Sequence, residues 1–206
     1  MVLSVLSGSS ARADAAPDVR IRRYEPGDAP LLFEAASESI ERIFPWLEWC
    51  HPGYRLEEAS EWVRRCATLW EEGREYNFVI VDSANRFLGG CGLNQIQRDH
   101  RLANLGYWVR TSEVGRGVAT AAVRELRQFA FSQTDLIRLE IVVALGNSGS
   151  RRVAEKSGAI CEAMLRARLI LHGKPHDAAL YTLLRPGEAA ADRDPNRIAS
   201  NEEAHP

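Results

Sequence analysis

A strand, a glycine-flanked turn, a helix and a second strand follow one another within residues 101–144. The segment 101–110 alternates between inward and outward side chains, and the helix after the turn keeps its apolar spacing to about residue 132. The segment 136–144 is apolar and β-branched, which is typical of a strand buried on both faces. Two strands joined through a helix run parallel, because the helix carries the chain back across the sheet. The sequence therefore predicts one parallel crossover.

The rest of the chain predicts a sheet connected by hairpins. Short segments of strand pattern are separated by turn residues such as those at 82–86. The predicted strands outside the crossover are 19–24, 76–81, 87–96, 163–171 and 178–184. The other predicted helices are one that begins after the N-cap Asp28, with its apolar side within 31–36, and those at 56–72 and 148–157. A loop rich in aromatic residues, 41–54, contains two prolines that break any helix. The fold class that follows is α+β, or mixed α/β, in one domain.

Domain bounds and composition restrict the functions that are open to the chain. We expect a disordered leader at 1–18, a folded domain at 19–185 and a solvated, disordered tail at 186–206. The net charge is −2 and the basic residues are dispersed, which argues against direct nucleic-acid binding, since that needs a basic face. No apolar run approaches the roughly 20 residues that span a bilayer, so we expect no membrane partner.

The cysteine and histidine patterns indicate a cytoplasmic protein without a metal site. The four cysteines lie far apart and include no Cys-x-x-Cys pair, which favours free thiols in a reducing compartment over a disulfide framework. His172 and His176 lie on either side of Gly173 and Pro175, which indicate a turn, and no third metal ligand is near them in the sequence. The oligomeric state, monomer or homodimer, stays open.

The turn that opens the crossover helix combines the features of an anion-binding site. Gly115 and Gly117 remove Cβ atoms where a ligand would approach the backbone, and Arg116 adds a positive charge between them. The first N–H groups of a helix are unpaired and carry about half a positive charge, so they bind phosphate oxygens. A tight turn is the alternative explanation of the glycines. Neither a P-loop nor a dinucleotide fingerprint fits, because the stretch has no lysine and Thr120 stands where a third glycine would be.

Two motifs, in order around one strand, carry a family resemblance. They are "GYWVRTSEVGRGVATAAVREL" and, further along the chain, "LEIVVALGNSGSRRVAEKSGA". Together they resemble the GNAT superfamily of acetyl-CoA-dependent N-acetyltransferases, and most closely the Rim-type enzymes that acetylate N-termini of ribosomal proteins. The resemblance covers residues 19–185. It implies acetyl-CoA as co-substrate and a central, mostly antiparallel sheet of about six or seven strands with one parallel crossover, flanked by about four helices.

The resemblance also assigns cofactor contacts to residues of this chain. The diphosphate would bind the backbone of the glycine turn and of the first helical turn: Gly115, Arg116, Gly117, Val118, Ala119 and Thr120. Val109 would pair with the pantetheine arm or polarise the thioester carbonyl, and Asn147 and Ser150 would lie near the pantetheine and the sulfur. Local roles are the alternative for Asn147 and Ser150, near a helix N-cap and in a first helical turn. The polar residue that usually opens the diphosphate motif is Val114 here.

Two residues that many members of this family use are absent from the sequence. Ala154 stands at the position of the tyrosine that protonates the leaving thiolate, and Asn104 at the position of the usual glutamate. The resemblance makes Ser150 a candidate donor of that proton, while Asn104 would hydrogen-bond the substrate. Glu140 is a candidate base that acts through water if burial raises its pKa. An ion pair with an arginine such as Arg138 is the alternative role for Glu140.

The aromatic loop is the candidate acceptor site. Trp46, Trp49 and Tyr54 would enclose an amine, with His51 as a titratable neighbour. Packing of the first two helices against each other is the alternative role for these rings. The loop shows no strongly acidic pocket of the kind that suits a polyamine or an aminoglycoside, because arginines offset its acidic residues.

The resulting hypothesis is an acetyl-CoA-dependent N-acetyltransferase that transfers an acetyl group directly to a primary amine, with a protein N-terminus among the acceptors. Two alternatives stay open. One is a non-catalytic CoA-binding sensor, which the missing tyrosine and glutamate favour. The other is an acetyltransferase for a small-molecule amine such as an antibiotic or a polyamine. No motif in the sequence selects the acceptor.

Overall fold

Seven strands and five helices build the part of the protein that the computed structural model describes, residues 18–188. The strands are β1 (Val19–Arg23), β2 (Tyr76–Asp82), β3 (Phe87–Gln97), β4 (Leu102–Val109), β5 (Arg138–Ala144), β6 (Ile160–Leu171) and β7 (Lys174–Leu184). The helices are α1 (Ala29–Ser37), α2 (Ile40–Ile43), α3 (Leu56–Glu71), α4 (Val118–Gln133) and α5 (Ser148–Lys156). The leader expected at 1–18 and the tail expected at 186–206 lie almost wholly outside the described residues.

All seven strands belong to one sheet with the order β1-β2-β3-β4-β5-β7-β6. Neighbouring strands are antiparallel except β4 and β5, which run parallel and are joined through α4. The predicted mixed α/β class with one parallel crossover is therefore confirmed. The final hairpin is longer than predicted, because β6 and β7 pair as far as the turn at Gly173. The aromatic loop contains a single helical turn, α2, which ends before Pro45.

The two faces of the sheet pack against different helices. Alternate residues of β2 divide between them, because successive side chains of a strand point to opposite faces. Phe78 and Ile80 join the apolar cluster that includes α4 and α5, whereas Val79 and Val81 join the cluster that includes α1 and α3. The sheet is therefore the middle of three layers, and a gap between two of its strands can be reached from both faces.

The parallel pair separates after three residue pairs. The ladder joins Leu102–Asn104 to Arg138–Glu140, and beyond it the two strands diverge. The prediction that β5 is buried on both faces is wrong, since Arg138, Glu140 and Val142 are half-buried between buried neighbours. The reason is that α1 and α3, the helices on that face, lie over β2 and β3.

The described range, 18–188, also bears on membrane, metal and redox chemistry. No helix within it combines the length and the apolar character that crossing a bilayer requires. Its His, Cys, Asp and Glu side chains form no group of three or more that could hold a metal ion. All four cysteines are free thiols, of which Cys161 is exposed and the others are buried.

Candidate active site

A cleft of about 700 Å³ opens where β4 and β5 separate. Its walls are Leu105–Val109 of β4 and Ile141–Ala144 of β5. The glycine turn, the first turn of α4 and the residues 146–150 at the start of α5 also line it. Of the residues that the resemblance assigns to the cofactor, all but Arg116 contribute to this lining. The structure therefore brings the candidate cofactor residues together around one opening in the sheet.

The start of α4 has no side-chain cap among the described residues. Gly117 is its N-cap residue with a φ of 80°, and Gly115 has a φ of 83°. These left-handed conformations account for both glycines, as the tight-turn alternative requires. The first intrahelical bond runs from the N–H of Ala121 to the carbonyl oxygen of Gly117 at 3.0 Å. The N–H groups before it are therefore available as donors for an anion as well.

A buried carboxylate holds the guanidinium of Arg116. Arg116 Nη1 lies 3.0 Å from Glu113 Oε2, and Arg86 approaches the same side chain at 3.6 Å. Glu113 is only 7% exposed, so this pair ties the glycine turn to the body of the domain. The charge that Arg116 brings to the turn is therefore balanced. Further positive charge comes from side chains that line the cleft, namely Arg42, Arg152 and Lys156.

A charged clamp fixes the segment between β4 and the glycine turn to α1. Arg110 Nη2 lies 2.9 Å from Glu34 Oε1 and also bonds Glu38, which accepts the backbone N–H of Ser112 at 3.0 Å. The hydrogen bond from Arg110, followed by those from Ser112, lowers the pKa of Glu38 to about 2. The glycine turn therefore starts from an anchored position.

Asn147 and Ser150 meet at the start of α5. Asn147 Oδ1 accepts the backbone N–H of Ser150 at 3.0 Å and so caps the helix, which is the local role that the sequence left open. Both residues also line the cleft. The cap uses only the carbonyl oxygen of the Asn147 amide and the backbone of Ser150. It is therefore compatible with cofactor contacts by the rest of both side chains.

The hydroxyl of Ser150 pairs with a residue that sequence reasoning missed. Tyr107 Oη lies 2.9 Å from Ser150 Oγ and donates to the Ser150 carbonyl oxygen at 3.0 Å. Burial raises the pKa of Tyr107 to about 12, although the bond with Ser150 opposes the rise. The phenol therefore keeps its proton at neutral pH. The alternation of β4, which puts Tyr107 on the same face as Leu105 and Val109, was the signal that could have identified it.

Glu140 and Asn104 are neighbours across the parallel ladder. Glu140 Oε1 accepts a bond from Arg138 Nε at 2.8 Å, and Arg138 also binds Glu162 at 2.7 Å. The ion pair is thus present, and Glu140 is not among the described residues that line the cleft. Asn104 lines the cleft and donates from its side chain to Asn94 Oδ1 at 2.8 Å. Of the two, Asn104 is better placed to contact a ligand.

A second cavity, of about 600 Å³, lies against β3 and β4 beneath the aromatic loop and α3. Its aromatic walls are Trp49, His51, Tyr54, Trp62 and Trp108. Asn94, Gly106 and Tyr107 line both cavities, so the two meet at the divergent part of β4. Trp46, which was expected beside Trp49, lines the first cleft, where its ring would be 3.2 Å from a Cβ built on Gly146.

His51 and Glu58 form a charge pair in the wall of the second cavity. His51 Nε2 lies 3.0 Å from Glu58 Oε1, and its Nδ1 lies 3.1 Å from the carbonyl oxygen of Pro52. The bond with Pro52, followed by that with Glu58, raises the pKa of His51. Because both ring nitrogens face acceptors, the arrangement suits the doubly protonated ring. A histidine held in this way is a poor base, and when it is protonated it offsets the charge of Glu58.

Known proteins match the chain over most of its length. The family model described as "Acetyltransferase (GNAT) domain" matches residues 18–160. A protein of Bacillus subtilis (strain 168), named "Putative ribosomal N-acetyltransferase YdaF", is 33% identical over 172 residues, which are 81% of this chain and 91% of that protein. The "Ribosomal-protein-serine acetyltransferase" of Escherichia coli (strain K12) is 26% identical over 135 residues, 66% of this chain and 75% of that protein.

A solved structure shares the fold and carries a CoA group. Mycobacterium smegmatis RimJ in complex with CoA-disulfide matches with a TM-score of 0.75 and 25% identity, over 82% of this chain and 83% of that chain. The family model, the relatives and the shared fold agree with the two motifs and with the cleft between β4 and β5. The chain therefore belongs to the GNAT family of acetyltransferases, and it is an acyltransferase.

Proposed function

We propose that the protein transfers the acetyl group of acetyl-CoA directly to a primary amine, and that the amine is a protein N-terminus. The observation that carries the proposal is that two cavities meet at Gly106 and Tyr107. The first includes an uncapped helix N-terminus, which suits an anionic cofactor. The second has aromatic walls, which suit an organic amine. Direct transfer needs both reactants at one point, and this junction supplies it.

The uncapped start of α4 is the proposed site of the cofactor diphosphate. The backbone N–H groups of 116–120 donate to its oxygens, and the positive side chains that line the cleft add long-range attraction. The pantetheine arm then runs between β4 and β5, with Val109 as a backbone partner, and brings the thioester toward Tyr107. The structure of RimJ with CoA-disulfide supports a CoA compound as the co-substrate.

The transfer step needs one proton to leave the amine and one to reach the thiolate. The amine nitrogen attacks the thioester carbonyl carbon, the C–S bond breaks, and the proton released by the nitrogen balances the one gained by the sulfur. Ser150 Oγ is the proposed donor to the sulfur, because Ser150 lines the cofactor cleft. Ser150 then recovers a proton from the acylated nitrogen, so that no charge is left on the serine oxygen. Tyr107 Oη, 2.9 Å from Ser150 Oγ, holds the hydroxyl in place for this exchange.

The groups at the junction favour an acceptor that loses its proton easily. The residues that line both cavities are Leu47, Asn94, Gly106, Tyr107 and Trp108, and none of them is a base at neutral pH. An α-amino group has a pKa of about 7.7 to 8.0, whereas an alkylamine such as lysine has one of about 10.4. A useful part of the α-amine is therefore neutral without help from the protein. Glu140 stays a prediction as a base acting through water, although its bond to Arg138 favours the ion-pair role.

The names of relatives support the same acceptor class. The relatives in Bacillus subtilis and Escherichia coli carry names that refer to ribosomal acetylation. A small-molecule acetyltransferase would need to deprotonate an alkylamine at this junction, and a CoA-binding sensor would need no open acceptor cavity beside the thioester. The second cavity and its junction with the first therefore favour the protein N-terminus.

The test is release of free CoA thiol from acetyl-CoA in the presence of peptides with free N-termini, spermidine or an aminoglycoside. We expect release with the peptides, together with one acetyl group on the α-amine by fragment mass spectrometry. A peptide with a blocked N-terminus is the control. Tight acetyl-CoA binding with no release across the panel would favour the sensor, and release with the alkylamines alone would favour the small-molecule enzyme.

A further inference from the structure

Three glycines form the floor of the second cavity. Gly90 and Gly92 of β3 and Gly106 of β4 all line it. The register pairs Gly92 with Gly106 and Gly90 with Trp108, and directly paired residues on neighbouring strands project from the same face of the sheet. The floor of the cavity therefore consists of glycine backbone on two neighbouring strands.

Two of these glycines are covered by neighbouring side chains. A Cβ at Gly90 would lie 2.7 Å from Trp108 Nε1 and 2.8 Å from Tyr24 Oη, and a Cβ at Gly92 would collide with Asn77 Oδ1. Gly90 and Gly92 are therefore required by packing, because a tryptophan, a tyrosine and an amide rest on them. Their lack of a side chain adds no room for a ligand.

Gly106 is different, because a Cβ there would meet no atom within 4 Å. Its φ also lies outside the left-handed region that requires glycine. Neither packing nor backbone conformation explains this glycine, in contrast to Gly92 and Gly117. The missing side chain of Gly106 leaves open space where the two cavities meet. A side chain at position 106 would stand at the point where acceptor and thioester come together.

The walls above this space are aromatic and held in place. The ring centroids of Trp49 and Trp108 lie 5.4 Å apart, and those of Trp49 and Tyr54 lie 5.6 Å apart, with edge-to-face geometry in both pairs. Such walls favour an apolar or aromatic group, because burying its surface removes it from water at no polar cost.

The charges of the second cavity are balanced. Glu58 is paired with His51 at 3.0 Å. Glu61, the other carboxylate in the lining, is 76% exposed and lies 3.9 Å from Arg64, and Arg65 lines the same cavity. A second ammonium group, as in a polyamine, would therefore find no unbalanced carboxylate among these lining residues.

On the basis of the proposed function, we propose that the acceptor is an α-amine whose neighbouring carbon carries a large apolar or aromatic side chain, and that Gly106 provides the room for it. The amine reaches the thioester at the junction, while the neighbouring side chain lies in the open space over Gly106, between the aromatic walls. An N-terminal phenylalanine or leucine has this chemistry, whereas a serine, an alanine or a polyamine lacks the large apolar group. This acceptor would set the chain apart from the Escherichia coli relative, which is named for serine.

The test uses peptides that differ only in their first residue, which is phenylalanine, leucine, alanine or serine. We expect kcat/KM of the wild type to be at least about tenfold higher for phenylalanine and leucine than for alanine and serine, since even one methylene in an apolar pocket is worth that much. Gly106→Ala should lower kcat/KM for phenylalanine by about tenfold or more, and spare alanine, because the added methyl group takes the room of the large side chain.

The matched control is Gly27→Ala, since a Cβ at Gly27 also meets no atom within 4 Å but lies in the turn before α1. Gly27→Ala should leave kcat/KM for all four peptides and the affinity for CoA unchanged. Higher kcat/KM for serine or alanine in the wild type would overturn this acceptor class and leave the transferase proposal intact. An equal loss with all peptides in Gly106→Ala would overturn the role of Gly106. No transfer to any peptide despite acetyl-CoA binding would overturn the proposed function, and this inference with it.

Discussion

Tyr107 Oη lies 2.9 Å from Ser150 Oγ, so a side chain of β4 holds the first turn of α5 across the cofactor cleft. The helix is held from its other side as well. Tyr181 of β7 donates to Glu155 at 2.8 Å and accepts from Arg151 at 3.2 Å. The serine hydroxyl is therefore fixed in position, which suits the role of proton donor that we propose for Ser150.

Ser150→Ala tests the proton donor. We expect kcat to fall by about 100-fold, the lower end of what a positioned acid contributes, while the calorimetric affinity for CoA stays the same. Tyr107→Phe keeps the ring and removes the hydroxyl, and it should lower kcat by less. The double variant should be no slower than Ser150→Ala, because the phenol acts through the serine. If the fractional losses of kcat in the two single variants multiply in the double variant, Tyr107 and Ser150 have independent roles. Full activity of Ser150→Ala would show that Ser150 serves only the structure of the helix start.

Glu140→Gln distinguishes the two roles considered for Glu140, a general base that acts through water and a partner in an ion pair. Since Glu140 accepts a bond from Arg138 at 2.8 Å, we expect equal fractional losses of kcat/KM at pH 7 and pH 9, together with a lower Tm. Arg138→Gln removes the same ion pair and should behave similarly. A base acting through water would give a larger loss at pH 7, where more of the amine carries its proton.

The ion pair between Glu38 and Arg110 makes part of the free energy of unfolding depend on pH. Its pKa is lowered from an ordinary 4.5 to about 2 by the bond from Arg110. A lowered carboxyl pKa contributes stability above the ordinary value, and this contribution is lost as the pH falls toward the folded value. Glu38→Gln should therefore be less stable than the wild type at pH 6, with a difference that shrinks between pH 4.5 and pH 2. Urea unfolding at several pH values measures this, and a constant difference would contradict it.

The sequence predicts the crossover and the cofactor cleft better than the final hairpin. The glycine turn and the apolar spacing of α4 depend on local residues, which is why both were found. The first four residues of β7, which include His176 and Asp177, are all exposed, so they show no alternation of apolar and polar side chains. Its pairing with β6 comes from the register of the hairpin, which a pattern of burial cannot reveal.

The residues of the candidate site also divide into those that a local motif predicts and those that depend on long-range packing. A motif at the start of a helix predicts the position of Asn147 and Ser150, and the structure has both at the start of α5. The bond between Tyr107 and Ser150 joins residues 43 positions apart in the chain, and the pair of His51 and Glu58 depends on how the aromatic loop meets α3. Such contacts follow from the packing of elements against one another, and no local pattern encodes them.

Binding of CoA at the uncapped start of α4 is tested most directly by two substitutions of Ala119, which lines the cleft in the first turn of that helix. Ala119→Glu puts a negative charge where the diphosphate would lie, yet a carboxylate in a first turn favours the helix itself, so the fold should persist. Ala119→Gln has the same shape without the charge. By calorimetry, we expect Ala119→Glu to bind CoA at least about tenfold more weakly than Ala119→Gln, as repulsion between close charges requires. Equal dissociation constants for the two variants would contradict diphosphate binding at this turn.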